Sequence, residues 1–234
     1  VIESLPKPIN YTGGMDPLTY GGSFTLERVL GTVPVEDDGS AYMELPAGRP
    51  LFFVALDAKN DSVKRMQSFL SVMPGETTTC LGCHEHRTAA GVPFGAGRPK
   101  ALTRPPHSVT PIPGIPGVFD FPRDIQPILD RQCVPCHDYD PHPGKAEGPR
   151  AGHVILTGDR GPMFSHSFAT LTLHAQFVDG RNQPVSNYPP HTLGSGVSPI
   201  MDKIRGGHHN VQLSDHEIRM IRYWIESGAA YPGT

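Results

Sequence analysis

All four cysteines of this 234-residue chain fall into two copies of one five-residue motif, Cys-x-x-Cys-His. The first copy is Cys80-Leu-Gly-Cys83-His84, and the second is Cys133-Val-Pro-Cys136-His137. This spacing is typical of a covalent attachment site for c-type haem. The two thiols add across the two vinyl groups of the porphyrin, and the histidine that follows them faces the iron. The motifs therefore predict two covalently bound haem c groups, with His84 and His137 as axial ligands of the iron.

Three other uses of paired cysteines fit the sequence less well. A four-thiolate zinc site would have to join two pairs about fifty residues apart and would leave both motif histidines unused. Thioredoxin-like chemistry needs a single Cys-x-x-Cys at a strand-to-helix junction, and no such unit is visible in the sequence. Two disulfides within the motifs would each close a tiny loop and stabilise little, because stabilisation grows with loop length.

The composition narrows the class of protein further. With 26 glycines, 26 prolines and 8% aromatic residues, the chain is expected to be loop-rich with few long helices. A net charge of -3 gives no indication of binding to nucleic acid or to an anionic membrane. No stretch approaches the roughly 20 apolar residues of a membrane helix.

The location of the protein follows from the cofactor. Covalent haem is attached outside the cytoplasm, so we expect an extracytoplasmic location, either the periplasm or the cell exterior. The sequence opens at Val1 with no signal peptide, and we therefore expect a mature or truncated chain.

Residues 1–75 are predicted to form a small β-rich module, either a sandwich or a sheet. Alternating and apolar runs bounded by turn residues indicate its strands. Its expected elements are strands at Ser23–Leu30, Ala41–Leu45, Leu51–Leu56 and Val63–Leu70, with turns at Asp37–Gly39 and Asp57–Asp61.

Residues 76–117 hold the first motif and then a proline-rich segment, Arg104–Gly117. So many prolines exclude a helix or a central strand. We expect an extended linker that lies over the surface or is clamped between two units.

Residues 118–234 are predicted to form a class I cytochrome c-like α-helical domain with a long insertion at 138–198. Asp120 is expected to cap a helix that leads into Cys133, with Ile125, Ile128 and Leu129 on its buried face. Near the C-terminus, Ser214 and Glu217 form the capping box of a second amphipathic helix. The buried stripe of this helix is Ile218, Ile221 and Ile225, with Met220 and Trp224 beside it, and Gly228 ends it.

Several longer runs carry a family resemblance: Val33–Pro50, Met73–Thr77, Phe119–Asp130, Ile155–His166, Gly206–Ser214 and Trp224–Thr234. They are similar to the C-terminal dihaem region of hydrazine synthase alpha-subunit-like (planctomycete-type) c-type cytochromes, and they span nearly the whole chain. A β-propeller portion usually precedes this region in the family, so we expect a fragment, a processing product or a reduced member. The resemblance adds an anammoxosome-like compartment to the expected extracytoplasmic locations. As partners we expect a redox protein or neighbouring cytochrome subunits, and an oligomer or a larger complex stays an open alternative.

The resemblance points to His208 as the second axial ligand of the second haem, opposite His137. Met201 is the alternative, because simple cytochromes c take a methionine from the loop before the C-terminal helix. We expect Met201 to pack in the core, and His209 either to support His208 from behind or to lie at the surface. Two histidine ligands leave no open position on the iron and lower its potential relative to histidine and methionine, which suits an electron carrier.

The axial ligands of the first haem are the next question. The resemblance carries an expectation for this haem. In true hydrazine synthase, a tyrosine four residues beyond the motif histidine binds the iron, and the histidine turns to zinc. This chain has Thr88 at that position, which favours ordinary ligation by His84 and argues against hydrazine chemistry. The sixth position is either open or filled by a histidine from elsewhere, with His166 and His107 as the first choices.

We therefore favour an extracytoplasmic dihaem c-type cytochrome that carries out electron transfer, rather than an enzyme. The alternative is a haem oxidoreductase whose five-coordinate first haem performs peroxide or nitrogen-compound redox chemistry, with the second haem as electron relay. A third reading is a structural fragment whose haems serve assembly into a larger complex.

Overall fold

The computed structural model describes residues 1–6, 26–82, 97–144, 149–180 and 187–231. In these ranges the strands are β1 (Ile2–Ser4), β2 (Glu27–Val29), β3 (Met43–Glu44), β4 (Leu51–Phe52), β5 (Val54–Leu56), β6 (Ser62–Arg65) and β7 (His107–Ser108). The helices are α1 (Gln126–Gln132), α2 (His166–Leu173), α3 (Pro199–Arg205) and α4 (Asp215–Glu226). Within the same ranges, no helix is long and apolar enough to cross a membrane.

The strands form three small sheets rather than one sandwich. Their orders are β2-β1-β4, β3-β7 and β5-β6, and only the β3-β7 pair is parallel. The predicted single strand at Leu51–Leu56 is two strands, because the chain changes partners at Phe53: β4 pairs with β1, and β5 pairs with β6. The predicted hairpin between β5 and β6 is present, and Asp57 Oδ1 accepts hydrogen bonds from the backbone N–H groups of Lys59 and Asp61.

The strand predicted at Ser23–Leu30 is shorter, at Glu27–Val29, and residues 23–25 lie outside the described ranges. The strand predicted at Ala41–Leu45 is also shorter, since β3 has two residues, and the strand predicted at Val63–Leu70 is β6, at Ser62–Arg65. Strands β2 and β3 do not pair with each other: β2 pairs with β1, and β3 pairs with β7.

The proline-rich segment is extended and contacts both halves of the molecule. It supplies β7 to the edge of β3, and Thr110 bridges to Thr32. Gly31 is required at this crossing, because a Cβ there would lie 2.1 Å from the Thr110 carbonyl oxygen. Ile112 and Ile115 pack against the core of the helical half, so the segment is held between two packed units.

The two helices predicted around the second motif are confirmed. The Asp120 side chain accepts from the Arg123 N–H and begins a wide π-type turn, Phe121–Ile125, that continues into α1. Ser214 and Glu217 form the complete capping box of α4. Beyond the end of α4, Gly228 has a φ of 83°, the left-handed conformation that glycine adopts readily.

The core of the helical half is aromatic. Trp224 is fully buried, contacts Phe121 and Phe177, and donates its indole N–H to the Ala230 carbonyl at 3.0 Å. Phe168 also packs against Trp224, and it lies on α2, inside the segment predicted to be an insertion. This segment is therefore part of the core.

The polar side of α4 is covered by the β-rich half. Arg222 and Glu226 are both buried, and Arg222 Nε lies 3.2 Å from an Asp61 oxygen. On β6, Arg65 binds both carboxylate oxygens of Glu27, at 2.9 and 3.1 Å, and also donates to the Glu226 backbone carbonyl. Burial alone would lower the pKa of Arg65, but the carboxylates of Glu27 and Glu226 raise it, so the guanidinium stays charged.

Candidate haem site at the second motif

The second motif begins where α1 ends. The Cys133 N–H donates to the Leu129 carbonyl at 2.8 Å, which extends the helical hydrogen bonding into the motif. The N–H groups of Cys136 and His137 both donate to the Cys133 carbonyl at 3.0 Å. The backbone therefore turns tightly over these five residues and brings both thiols and the imidazole to one wall of a cavity.

A second segment holds the His137 ring in place. The Leu156 N–H donates to the His137 carbonyl at 2.8 Å, and His137 Nδ1 lies 3.3 Å from the Val154 carbonyl oxygen. Because a carbonyl oxygen can only accept, Nδ1 must carry the proton. The lone pair of Nε2 is then available to a metal, as in most metal-binding histidines.

The His208 ring faces the His137 ring across the cavity. The ring centroids are 6.2 Å apart, and the ring planes differ by 9°. This separation is too large for direct contact between the rings. A metal bound by one nitrogen of each ring would set the centroids about 6.4 Å apart, from two metal–nitrogen bonds of about 2.0 Å and about 1.2 Å from each nitrogen to its ring centre.

The cavity between the two rings has a volume of about 820 Å³. This is within the range of cofactor-sized pockets, which is about 300–1,000 Å³. Its wall combines apolar and polar side chains. The apolar part includes Leu129, Leu156, Leu171, Ile200 and Ile204, and the motif cysteines and both histidines line the same cavity. Shape, apolar lining and paired imidazoles all fit a porphyrin attached to the motif.

The Cys133 thiol is unsuited to thiolate chemistry. Burial, with smaller contributions from Cys136 and Glu217, raises the pKa of Cys133 to about 12. Reactive and metal-binding cysteines have a lowered pKa, because the thiolate is the nucleophile and the ligand. This environment disfavours the thioredoxin-like use of the pair.

The two other residues considered for this site, Met201 and His209, lie in different environments. Met201, the alternative ligand, is 1% exposed and belongs to the hydrophobic core, as expected. His209 is exposed and packs edge-on against His208, with ring centroids 4.4 Å apart. Of the two neighbouring histidines, His208 is the one that faces His137.

The first motif cannot be described in the same way. Cys80 is exposed, whereas Cys83, His84 and Thr88 lie outside the described residues. His107 lies on β7, and His166 begins α2 beside Tyr139, whose hydroxyl is 3.5 Å from His166 Nδ1. Neither is among the described residues that line the cavity. The described ranges also contain no group of three or more His, Cys, Asp or Glu side chains that could hold a free metal ion.

Sequence reasoning missed the contribution of α2 and α3 to the cavity wall. Thr170, Leu171 and His174 come from α2 and the residue after it, and Lys203 comes from α3. A signal for α2 was present: Ser165 caps the helix, and the buried residues Phe164, Phe168 and Leu171 recur at helical spacing. The many prolines and glycines around it obscured this pattern.

Comparisons with known proteins support the hydrazine synthase-like resemblance. Residues 13–85 match a family model described as the hydrazine synthase alpha subunit middle domain. The whole chain aligns with 38% of a chain of the Kuenenia stuttgartiensis hydrazine synthase structure, with a TM-score of 0.66 and 20% sequence identity. No match was found among curated proteins.

The structural match and the family model cover different lengths of the chain. At 20% identity the structural likeness shows a shared fold, and this chain spans 38% of the length of the chain it matches. The family model covers the β-rich residues and the first motif, and it describes a middle domain. Assignment to a dihaem C-terminal region stays a prediction.

Proposed function

We propose that this protein is a c-type cytochrome that transfers electrons through a haem held at the second motif. The observation that carries the proposal is the pair of imidazoles, His137 and His208, with parallel planes and a separation of 6.2 Å beside Cys133 and Cys136. A six-coordinate haem has no site for a substrate.

The residues of the site have distinct roles in this proposal. Cys133 and Cys136 form the two thioether bonds to the porphyrin. His137, oriented by the Val154 carbonyl, and His208 occupy the two axial positions. A bound haem would supply one-electron redox chemistry, and the leucine and isoleucine side chains of the wall would limit the access of water to it.

The remainder of the proposal rests on the sequence. A second haem c is attached at Cys80, Cys83 and His84, the location is extracytoplasmic, and residues 118–234 have a class I cytochrome c-like arrangement. The helix order supports this last point: α1 leads into the motif, and Arg131 beside it binds Glu217 on α4 at 3.1 Å. The partner is a redox protein or a neighbouring cytochrome subunit.

One observation favours a second candidate, a haem enzyme. Likeness to hydrazine synthase suggests haem-related nitrogen redox chemistry. In this candidate, the first haem has an open position and the second relays electrons to it. Thr88 stands where the family has the iron-binding tyrosine, and this difference favours the electron carrier over the enzyme.

The test is to produce the chain with a c-type haem attachment system and to measure haem content, the optical spectrum and the EPR spectrum of the oxidised protein. We expect two covalent haems, both low-spin, and no binding of cyanide or nitric oxide. One high-spin haem that binds these ligands would favour the enzyme. No covalent haem at the second motif would reject both candidates.

A further inference from the structure

The cavity wall carries positive charge and no negative charge. Arg131 and Lys203 line it, and His174 and His209 lie at its exposed margin. No aspartate or glutamate is among the described lining residues. This contrasts with the whole chain, whose net charge is -3. A cavity with this charge distribution suits a ligand that is apolar over most of its surface and bears an anionic group.

Of the two cations, Lys203 is the one available to an anion. The Arg131 guanidinium is engaged by the Glu217 carboxylate at 3.1 Å. Lys203 Nζ donates to the Gln176 side-chain oxygen at 2.9 Å and forms no ion pair with any described residue. An ammonium has three N–H donors, so two remain. Gln176 in turn donates to the His174 carbonyl at 2.7 Å, which limits the positions that the lysine head can take.

The chemistry of haem provides a matching anion. A porphyrin of this type has its vinyl groups at one edge and two carboxylate side chains at the opposite edge. The vinyl edge is fixed by Cys133 and Cys136, which follow α1. Lys203 is on α3, and Gln176 follows α2. The pair therefore comes from different elements than the cysteines that fix the vinyl edge.

We propose that Lys203, positioned by Gln176, donates a charge-assisted hydrogen bond to a haem carboxylate and so sets the orientation and the potential of the second haem. The proposal rests on the haem site proposed above. A cation near the iron favours the reduced form, which carries one positive charge fewer than the oxidised form. Lys203 therefore raises the potential of this haem.

The test uses the holoprotein with both haems. Redox titrations compare wild type with Lys203→Gln, Lys203→Arg and the control Lys59→Gln, which makes the same charge change on the exposed turn between β5 and β6. The haem-two transition is the one displaced by His208→Ala. Resonance Raman spectroscopy of the carboxylate bending mode reports whether the lysine contacts the carboxylate.

We expect Lys203→Gln to lower the reduced-to-oxidised ratio of the second haem at a fixed potential by about three- to tenfold. The Raman band should shift in this variant, Lys203→Arg should retain both properties, and Lys59→Gln should alter neither.

Two outcomes of Lys203→Gln would overturn the proposal. The first is a changed potential with an unchanged Raman band. The second is an unchanged potential, and slower reduction by an acidic redox protein in that case would make Lys203 part of a docking surface. Failure of the haem site itself is distinguishable, since wild type would then lack a covalent haem at the second motif.

Discussion

The backbone between α3 and α4 decides which of two neighbouring histidines faces the motif. Gly207 has a φ of 69°, and His209 and Asn210 follow with φ values of 45° and 62°. This series of left-handed residues turns the chain sharply, so His208 faces His137 and His209 lies at the surface. Non-glycine residues rarely adopt such angles, and such strain is often found at functional sites.

Replacement of His208 by alanine should convert the second haem from low-spin to high-spin, because the iron loses one axial ligand. The optical and EPR spectra of the oxidised holoprotein measure this change directly. The matched control is His209→Ala, which removes the neighbouring, exposed imidazole and should leave both haems low-spin. A low-spin second haem in His208→Ala, or a high-spin one in His209→Ala, would show that the distal ligand is misassigned.

At the scale of single elements, α4 is stabilised at its beginning by a reciprocal cap. Glu217 accepts from the backbone N–H and the hydroxyl of Ser214 at 2.7 and 2.8 Å, and it also accepts from Arg131 beside the second motif. Burial raises the pKa of Glu217, but these hydrogen bonds outweigh it and hold the pKa below its usual value. One carboxylate thus caps α4 and connects it to the end of α1.

Ser214→Ala should lower the free energy of unfolding by about 1 kcal/mol, since it removes the capping hydroxyl. Denaturant unfolding followed by circular dichroism provides the measurement. Ser71→Ala, at an exposed position, is the control and should change stability by less than about 0.5 kcal/mol. Equal effects of the two substitutions would mean that the cap contributes nothing specific.

Across the whole molecule, a buried charge cluster joins the β-rich half to α4. Arg65 is the cation between Glu27 and Glu226, and one Glu226 oxygen is buried without a hydrogen-bond partner among the described residues. Without Arg65, both carboxylates would remain buried and would lose the cation that lies between them. Removal of one partner from such a cluster costs more than the pair itself contributes.

Arg65→Ala should therefore destabilise the protein by about 3–5 kcal/mol. Lys59→Ala, in the turn that precedes β6, should change stability by less than about 0.5 kcal/mol. Thermal and denaturant unfolding of both variants give the comparison. A loss below about 1 kcal/mol for Arg65→Ala would indicate that water reaches the cluster and that the two halves are not joined there.

The sequence alone predicts those structural features that depend on residues close together in the chain. Four described features depend on residues within four positions of one another: the turn of the second Cys-x-x-Cys-His motif, the Ser214 cap, the Asp120 cap and the Asp57 turn. Short-range hydrogen bonds and side-chain periodicity fix such features before distant parts of the chain meet.

Only the tertiary structure decided what depends on distant contacts. Examples are the change of strand partner at Phe53, the burial of Arg65 and Glu226, and the inclusion of α2 in the core. The meeting of His208 with His137 belongs to the same group, since 71 positions separate them in the sequence. Residue types and spacing within the motifs predict the cofactor, whereas packing between α1, α3 and α4 decided which side chain faces His137 across the cavity.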